Sequence, residues 1–193
     1  KITAEPISKS TLYSINKPSY NFNYNLNKRE TIMYTKHETF KTHLVLGGAR
    51  SGKTKFAENL ALNLAKESCN IPIYIATGQA FDTEMEERIN SHKEQRADKF
   101  KTLEYPFNLA TPLLIAQQNE VILIDCLTLF VSNLLCSEKF DEQQIIDFIK
   151  AVQTTKAKLI IVSNETGLGV VPDNKLARQF RDIAGKLNQN IAS

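Results

Sequence analysis

Gly47-Gly48-Ala49-Arg50-Ser51-Gly52-Lys53-Thr54 decides the reading of this chain, because it satisfies the pattern G-x-x-x-x-G-K-[ST]. Its glycines let the loop curl until successive backbone N–H groups face one point, which suits phosphate oxygens. The helix expected after the loop adds the positive end of its dipole to the same point. Lys53 then reaches the β- and γ-phosphate oxygens, and the Thr54 hydroxyl is of the type that ligates Mg²⁺. The flanking sequence supplies the context that separates such a loop from a flexible glycine turn. Leu44-Val45-Leu46 reads as a short apolar strand entering the glycines. Lys53 to Lys66 has helical spacing, with Phe56, Leu60 and Leu64 on the face expected to be buried.

Outward from the loop, strands and helices alternate. Ile71 to Ala76 reads as a strand ending in Thr77-Gly78, and Thr83 to Gln95 as a charged helix. Val121 to Ile124 is an apolar strand closed by Asp125, with a helix expected through Leu135. Glu142 to Thr154 reads as a helix, and Leu159 to Val162 as an apolar strand ending at Ser163-Asn164-Glu165. The last helix, about Asn174 to Ile191, places Leu176, Phe180, Ile183, Leu187 and Ile191 on one stripe. Short apolar runs separated by helices predict an α/β fold: a P-loop, RecA-like, mainly parallel sheet with helices on both faces.

Composition limits what else the protein can be. The 193 residues are 42% apolar and 23% charged, which excludes collagen-like, coiled-coil and wholly disordered chains. No run reaches the ~20 apolar residues of a membrane helix, so no membrane span is expected. Cys69, Cys126 and Cys136 are odd in number and lack CxxC spacing, which points to reduced thiols and a cytoplasmic setting. Residues 1–42 carry a net charge of +4 and the remainder −1. The body is therefore nearly neutral and shows no basic footprint for nucleic acid. Residues 1–42 also differ in kind, with five Asn, four of the six Tyr and no Gly. We read them as an extension or flexible arm, and residues 43–193 as the P-loop domain; Met33 is a candidate start. Within the arm, Tyr20 to Asn27 alternates apolar and polar with period two, as an edge strand would.

Two further features bear on chemistry. Asp125 ends its strand in the manner of a carboxylate that holds Mg²⁺ through water. In open α/β sheets ligands gather at the carboxyl ends of strands, so Thr77, Gly78, Asp125, Asn164 and Glu165 are candidates for one crevice. Glu84, Arg88, His92 and Arg96 recur every four residues along one helix face. Each arginine lies about one turn from His92, where a positive charge disfavours protonation of the imidazole. A neutral imidazole suits a nucleophile, and two guanidiniums suit a polyphosphate. A solvated surface histidine has the same spacing, so the residues alone leave both readings open.

The motifs taken in order resemble a known family. The loop 47–54 is followed by Tyr-Ile-Ala-Thr (74–77), Glu-Met-Glu-Glu-Arg-Ile-Asn-Ser-His-Lys-Glu-Gln-Arg (84–96) and Ile-Asp-Cys-Leu-Thr (124–128). Ser-Asn-Glu-Thr-Gly-Leu-Gly-Val-Val-Pro (163–172) and Arg-Gln-Phe-Arg-Asp-Ile-Ala-Gly-Lys-Leu-Asn-Gln (178–189) complete the set. This resembles the bifunctional adenosylcobinamide kinase / adenosylcobinamide-phosphate guanylyltransferase family over about residues 43–192. The resemblance implies two reactions: phosphorylation of adenosylcobinamide by ATP or GTP, then transfer of GMP from GTP through a histidine–GMP intermediate. It implies His92 as that histidine, with Lys53 serving the transfer. Its nucleotide-contacting positions fall on Gly47, Gly48, Ala49, Arg50, Ser51, Gly52, Lys53 and Thr54. They continue on Tyr74, Ile75, Ala76, Thr77, Gly78, Lys93, Glu94, Gln95, Arg96, Glu104 and Asp125, with Mg²⁺ expected at Thr54 and Asp125. We assign Arg88, Asn164, Glu165, Arg178, Arg181 and Asp182 to the cobinamide side. A homo-oligomer is expected by the same resemblance. Family members usually continue into a closing strand, whereas the sequence stops at Ser193; either the sequence is truncated, and a missing strand would expose an edge, or the sheet is completed otherwise. The open alternatives are a small-molecule kinase without nucleotidyl transfer and a non-catalytic nucleotide switch.

Overall fold

The computed structural model describes residues 10–15, 41–66, 68–79, 83, 93–94, 96, 98–137 and 140–193. Six parallel strands form one sheet: β1 (Ser10–Ile15), β2 (Thr42–Gly47), β3 (Ile73–Ala76), β4 (Lys101–Glu104), β5 (Val121–Asp125) and β6 (Lys158–Asn164). Their order across the sheet is β1-β2-β6-β5-β3-β4. The helices bounded within the described residues are α1 (Lys53–Lys66), α2 (Ala110–Leu114), α3 (Leu127–Cys136), α4 (Glu142–Thr154) and α5 (Lys175–Ala192).

The apolar runs of the central strands bury both faces, because helices cover both. Leu44, Ile75, Ile122, Ile124, Leu159 and Ile161 face the layer of α2 to α5, around Phe130, Phe148 and Leu187. Their neighbours in sequence, Val45, Tyr74, Leu123, Ile160 and Val162, face α1 and Phe100. Each fully buried Leu, Ile or Phe stabilises the fold by about 1.5–3 kcal/mol, which fixes the strands and therefore their ends. Caps set where helices begin: Asp141 accepts from the Gln143 N–H at the start of α4, and Asn174 accepts from the Ala177 N–H at the start of α5.

Several expectations shift in detail. On α1 the buried stripe is Ala57, Leu60, Ala61 and Ala65, while Phe56 and Leu64 flank it half-buried. Alanines let the helix axis approach the sheet closely, and the larger residues then fill the margins. The strand expected from Ile71 starts at Ile73, and Ile71 stands 66% exposed. On α5 only Ala184, Leu187 and Ile191 are buried, because the amino-terminal half of the helix leaves the core and Leu176 is 50% exposed. Strand β4 and the short α2 have no counterpart in the sequence reading. Ser10–Ile15, counted there within the arm, pairs with β2 from Ser10 opposite Thr42 to Ile15 opposite Gly47. Strand β2, which feeds the glycine loop, thus has a neighbour on both sides. The alternating stretch Tyr20 to Asn27 lies outside the described residues. No described helix is long and apolar enough to cross a membrane.

Candidate active site

Strand β6 lies between β2 and β5, so the ends of β2 and β5 are about 10 Å apart. The glycine loop spans that gap. It leaves β2 at Gly47, passes Arg50 at φ +56° and Gly52 at φ +91°, and enters α1 at Lys53. The left-handed turn at Gly52 is the conformation glycine adopts without steric cost. The crossing brings the Thr54 hydroxyl to Asp125, donating to Oδ2 at 2.8 Å. Lys53 is largely buried, and its ammonium donates to the Gly48 carbonyl at 3.0 Å, which holds the charge at the loop's mouth.

Around this pair the remaining predicted residues take distinct places. Ala76 ends β3 opposite Asp125, and the Thr77 hydroxyl accepts from the Cys126 N–H and donates to the Cys126 carbonyl, both at 2.8 Å. Gly78 follows, half-buried. Ser51 is buried, whereas Ala49 and Arg50 are exposed. Lys93, Glu94 and Arg96 have helical backbone; Lys93 pairs with Glu104 at 2.5 Å on the surface, and Glu94 is exposed. Arg96 is buried, its guanidinium stacked 3.8 Å from the Tyr74 ring centroid and 3.9 Å from a Glu58 carboxylate oxygen. Its Nε has no hydrogen-bond partner among the described residues. Arg50, Lys53, Thr54, Glu58, Arg96 and Phe100 line one cavity of about 510 Å³. Arg88, His92 and Gln95 lie outside the described residues.

On the other flank, Asn164 ends β6 opposite Gly47, and the Glu165 N–H donates to the Gly47 carbonyl at 3.1 Å. Asn164 also donates to the Thr128 hydroxyl at 2.9 Å. The loop beyond exposes Leu168 (82%), Val170 (70%) and Val171 (70%). Arg178 donates to the Pro172 and Asp173 carbonyls, and Arg181 to Val170 O and to Asp182. These arginines therefore hold the loop to α5. Of the histidines outside any motif, His43 sits near the amino end of β2, remote from the loop, and His37 is outside the described residues.

Sequence reasoning missed Asn133, and counted Tyr74 only within the nucleotide-contacting stretch 74–78 that the resemblance implies. The Tyr74 phenol donates to Asp125 Oδ2 at 2.8 Å. Burial first, then the Asp125 charge, pushes that phenol well above the usual tyrosine range, so it stays a donor. Asn133 donates to the Thr77 and Pro106 carbonyls, pinning the turn after β3. A single Asn within the apolar run Leu127–Cys136 was a usable signal, because a buried amide must find partners. Apart from the resemblance, Tyr74 gave none, since an aromatic in a strand reads as core.

A phosphate loop, a buried lysine and a hydroxyl–carboxylate pair at the carboxyl ends of a parallel sheet define the class: a P-loop nucleotide-binding α/β protein. Residues 43–193 match the family described as cobinamide kinase / cobinamide phosphate guanyltransferase, and the chain belongs to that family. The bifunctional adenosylcobalamin biosynthesis protein CobP of Pseudomonas aeruginosa is 44% identical over 155 residues, covering 77% of this chain and 86% of the relative. The bifunctional adenosylcobalamin biosynthesis protein CobU of Escherichia coli is 40% identical over 167 residues, covering 78% and 89%. The CobU of Salmonella typhimurium gives the same figures. The chain is accordingly a nucleotide-using transferase with its family's two activities, phosphorylation of cobinamide and guanylyl transfer to the phosphate.

Proposed function

We propose that both reactions draw on the one triphosphate cradle formed by residues 47–54, Arg96 and Asp125, and that His92 carries the guanylyl group between them. The observation that supports this reading is the convergence of Lys53, Thr54 and Arg96 on a single cavity, with Asp125 bonded to Thr54 at its edge. Arg96 follows His92 by four residues in sequence. In the kinase step the loop N–H groups and Lys53 hold the transferred phosphoryl group and balance its spreading charge. In the second step an imidazole nitrogen of His92 attacks the α-phosphorus of GTP. A P–N bond forms, the bond to the bridging oxygen breaks, and pyrophosphate leaves. A phosphate oxygen of cobinamide phosphate then attacks the same phosphorus, the P–N bond breaks, and the histidine is restored. The nucleophile divides one transfer into two easier ones.

Thr54 and Asp125 fit a magnesium ion. A threonine hydroxyl can give a lone pair to the metal while donating its proton to the carboxylate, and the 2.8 Å contact already has that sense. Among the described residues no cluster of three His, Cys, Asp or Glu forms a protein cage. Mg²⁺ usually needs none, being held by one or two protein oxygens, water and substrate phosphates. When bound it would neutralise phosphate charge.

On the cobinamide side we place Asn164, Glu165 and the loop braced by Arg178, Arg181 and Asp182, because that loop is tied at Glu165 to Gly47 of the cradle and exposes apolar side chains. The reading is tested by incubating the protein with α-labelled GTP and Mg²⁺. The expected result is acid-labile, base-stable label on the intact chain, abolished by His92→Ala while cobinamide phosphorylation continues. Label that survives His92→Ala removes the histidine from its role. Absence of label, with phosphorylation intact, leaves a kinase without the transfer step.

A further inference from the structure

Asp125 and Arg96 approach the cradle from different directions, one at the end of a strand and the other on helical backbone. One side chain touches both. Tyr74 is buried in β3, on the sheet face toward α1. Its hydroxyl donates to Asp125 Oδ2, the same oxygen that receives the Thr54 hydroxyl, each at 2.8 Å. Its ring face carries the Arg96 guanidinium at 3.8 Å, and its edge packs against Phe100 with centroids 5.8 Å apart and planes at 79°.

We propose that Tyr74 is a positioning residue that sets two parts of the nucleotide site separately: its hydroxyl aims the Asp125 carboxylate, and its ring seats Arg96. Each half has its own physical reason. A carboxylate receiving two hydroxyl protons on one oxygen has its plane fixed, so it does not have to reorganise when a cation arrives. A buried guanidinium resting on an aromatic face is stabilised without all its N–H donors being used. Glu58 stands off at 3.9 Å, beyond hydrogen-bond range, and the Arg96 Nε lacks a partner among the described residues. Among the described residues no closely bonded carboxylate takes the Arg96 donors, which leaves them for a phosphate oxygen. The inference rests on the placement of the triphosphate proposed above, but not on His92.

The two roles separate by substitution. Tyr74→Phe removes the hydroxyl and keeps the ring; Tyr74→Leu removes both. The readout is the dissociation constant of GTP, measured by calorimetry on the full chain in EDTA and again in excess Mg²⁺. Tyr74→Phe is expected to bind GTP normally in EDTA and to lose about tenfold of the affinity gained on adding Mg²⁺, the scale of a buried hydrogen bond to a charged group. Tyr74→Leu is expected to show that loss and, in EDTA, a further loss of about tenfold, the scale of a desolvated cation–π contact. A role confined to packing would weaken binding equally with and without Mg²⁺. Such equal losses, or a Tyr74→Phe protein with wild-type Mg²⁺ dependence, would overturn the proposal. If Tyr74→Leu does not fold, by its circular dichroism and melting curve, Arg96→Lys tests the ring's role. Its expected defect in EDTA is about tenfold, and its Mg²⁺ gain should be intact; binding unchanged in EDTA overturns that half. Failure of His92 labelling leaves all these binding results standing, so the two readings fail independently.

Discussion

The cradle and the loop that follows β6 sit side by side at the same edge of the sheet, yet they are built in opposite ways. In the cradle the fixing bonds join residues far apart in sequence: Thr54 to Asp125 across 71 positions, Tyr74 to Asp125 across 51, and Thr77 to Cys126 across 49. Past the tie of Glu165 to Gly47, those of the loop are local, Arg178 reaching back six residues to Pro172 and Arg181 eleven to Val170. Ser51, Lys53 and Arg96 of the cradle are buried, whereas the loop turns Leu168, Val170 and Val171 outward. Bonds that tie distant strands can hold charged groups in a fixed array, as phosphate chemistry needs. A loop tied to the cradle at its base, by Glu165 to Gly47, and beyond that braced by its own helix can shift at its tip without disturbing that array, which suits contact with a large substrate.

The comparison can be broken at its strongest point by Lys53→Ala. Because both reactions are assigned to one cradle, both rates should fall by about a hundredfold or more, the scale for losing a preorganised group that stabilises transition-state charge. Separate initial-rate assays of cobinamide phosphorylation and GMP transfer would show it, and a variant that loses only one reaction would mean two phosphate sites. A smaller effect is expected from replacing Leu168, Val170 and Val171 together by Ser. The KM for cobinamide should rise about tenfold while GTP affinity stays the same, since these side chains contribute nothing to the core and offer only apolar contact. A parallel fall in GTP affinity would erase the distinction between the two regions. The smallest effect concerns thiols. Cys126, next to Asp125, is buried, and burial followed by the Asp125 charge pushes its thiol up, so little reactive thiolate forms near neutral pH. Mass spectrometry after brief iodoacetamide treatment should find Cys69 and Cys136 alkylated and Cys126 untouched; early loss of Cys126 would show that the cradle opens readily.

The same contrast explains what was legible in the sequence. The loop 47–54 and Asp125 were readable because phosphate binding imposes fixed spacing on a few residue types, and the apolar strands because burial on both faces imposes their runs. Strand β4 was not, since Lys101-Thr-Leu-Glu104 lies at a sheet edge, where only one neighbour and partial burial constrain it. The emergence of α5 from the core was also hidden. Its stripe continues through Leu176 and Phe180, and period alone does not say which part of a helix meets the sheet. The bond from Tyr74 to Asp125 escaped because it depends on register: Tyr74 lies beside Leu123 and Ala76 beside Asp125, so the ring must reach along two positions of β5. Arg178 and Arg181 stood out as charges but gave no sign that loop carbonyls would occupy them.

The place of β6 between β2 and β5 also orders events during synthesis. A nascent chain that has emerged only as far as α4 already contains the whole lysine loop and the carboxylate, but not the strand that spaces them. Nucleotide therefore has no complete site to stabilise until the residues that follow α4 are made. Competence for ligand arrives late and in a single step, when Lys158–Asn164 inserts and closes the gap.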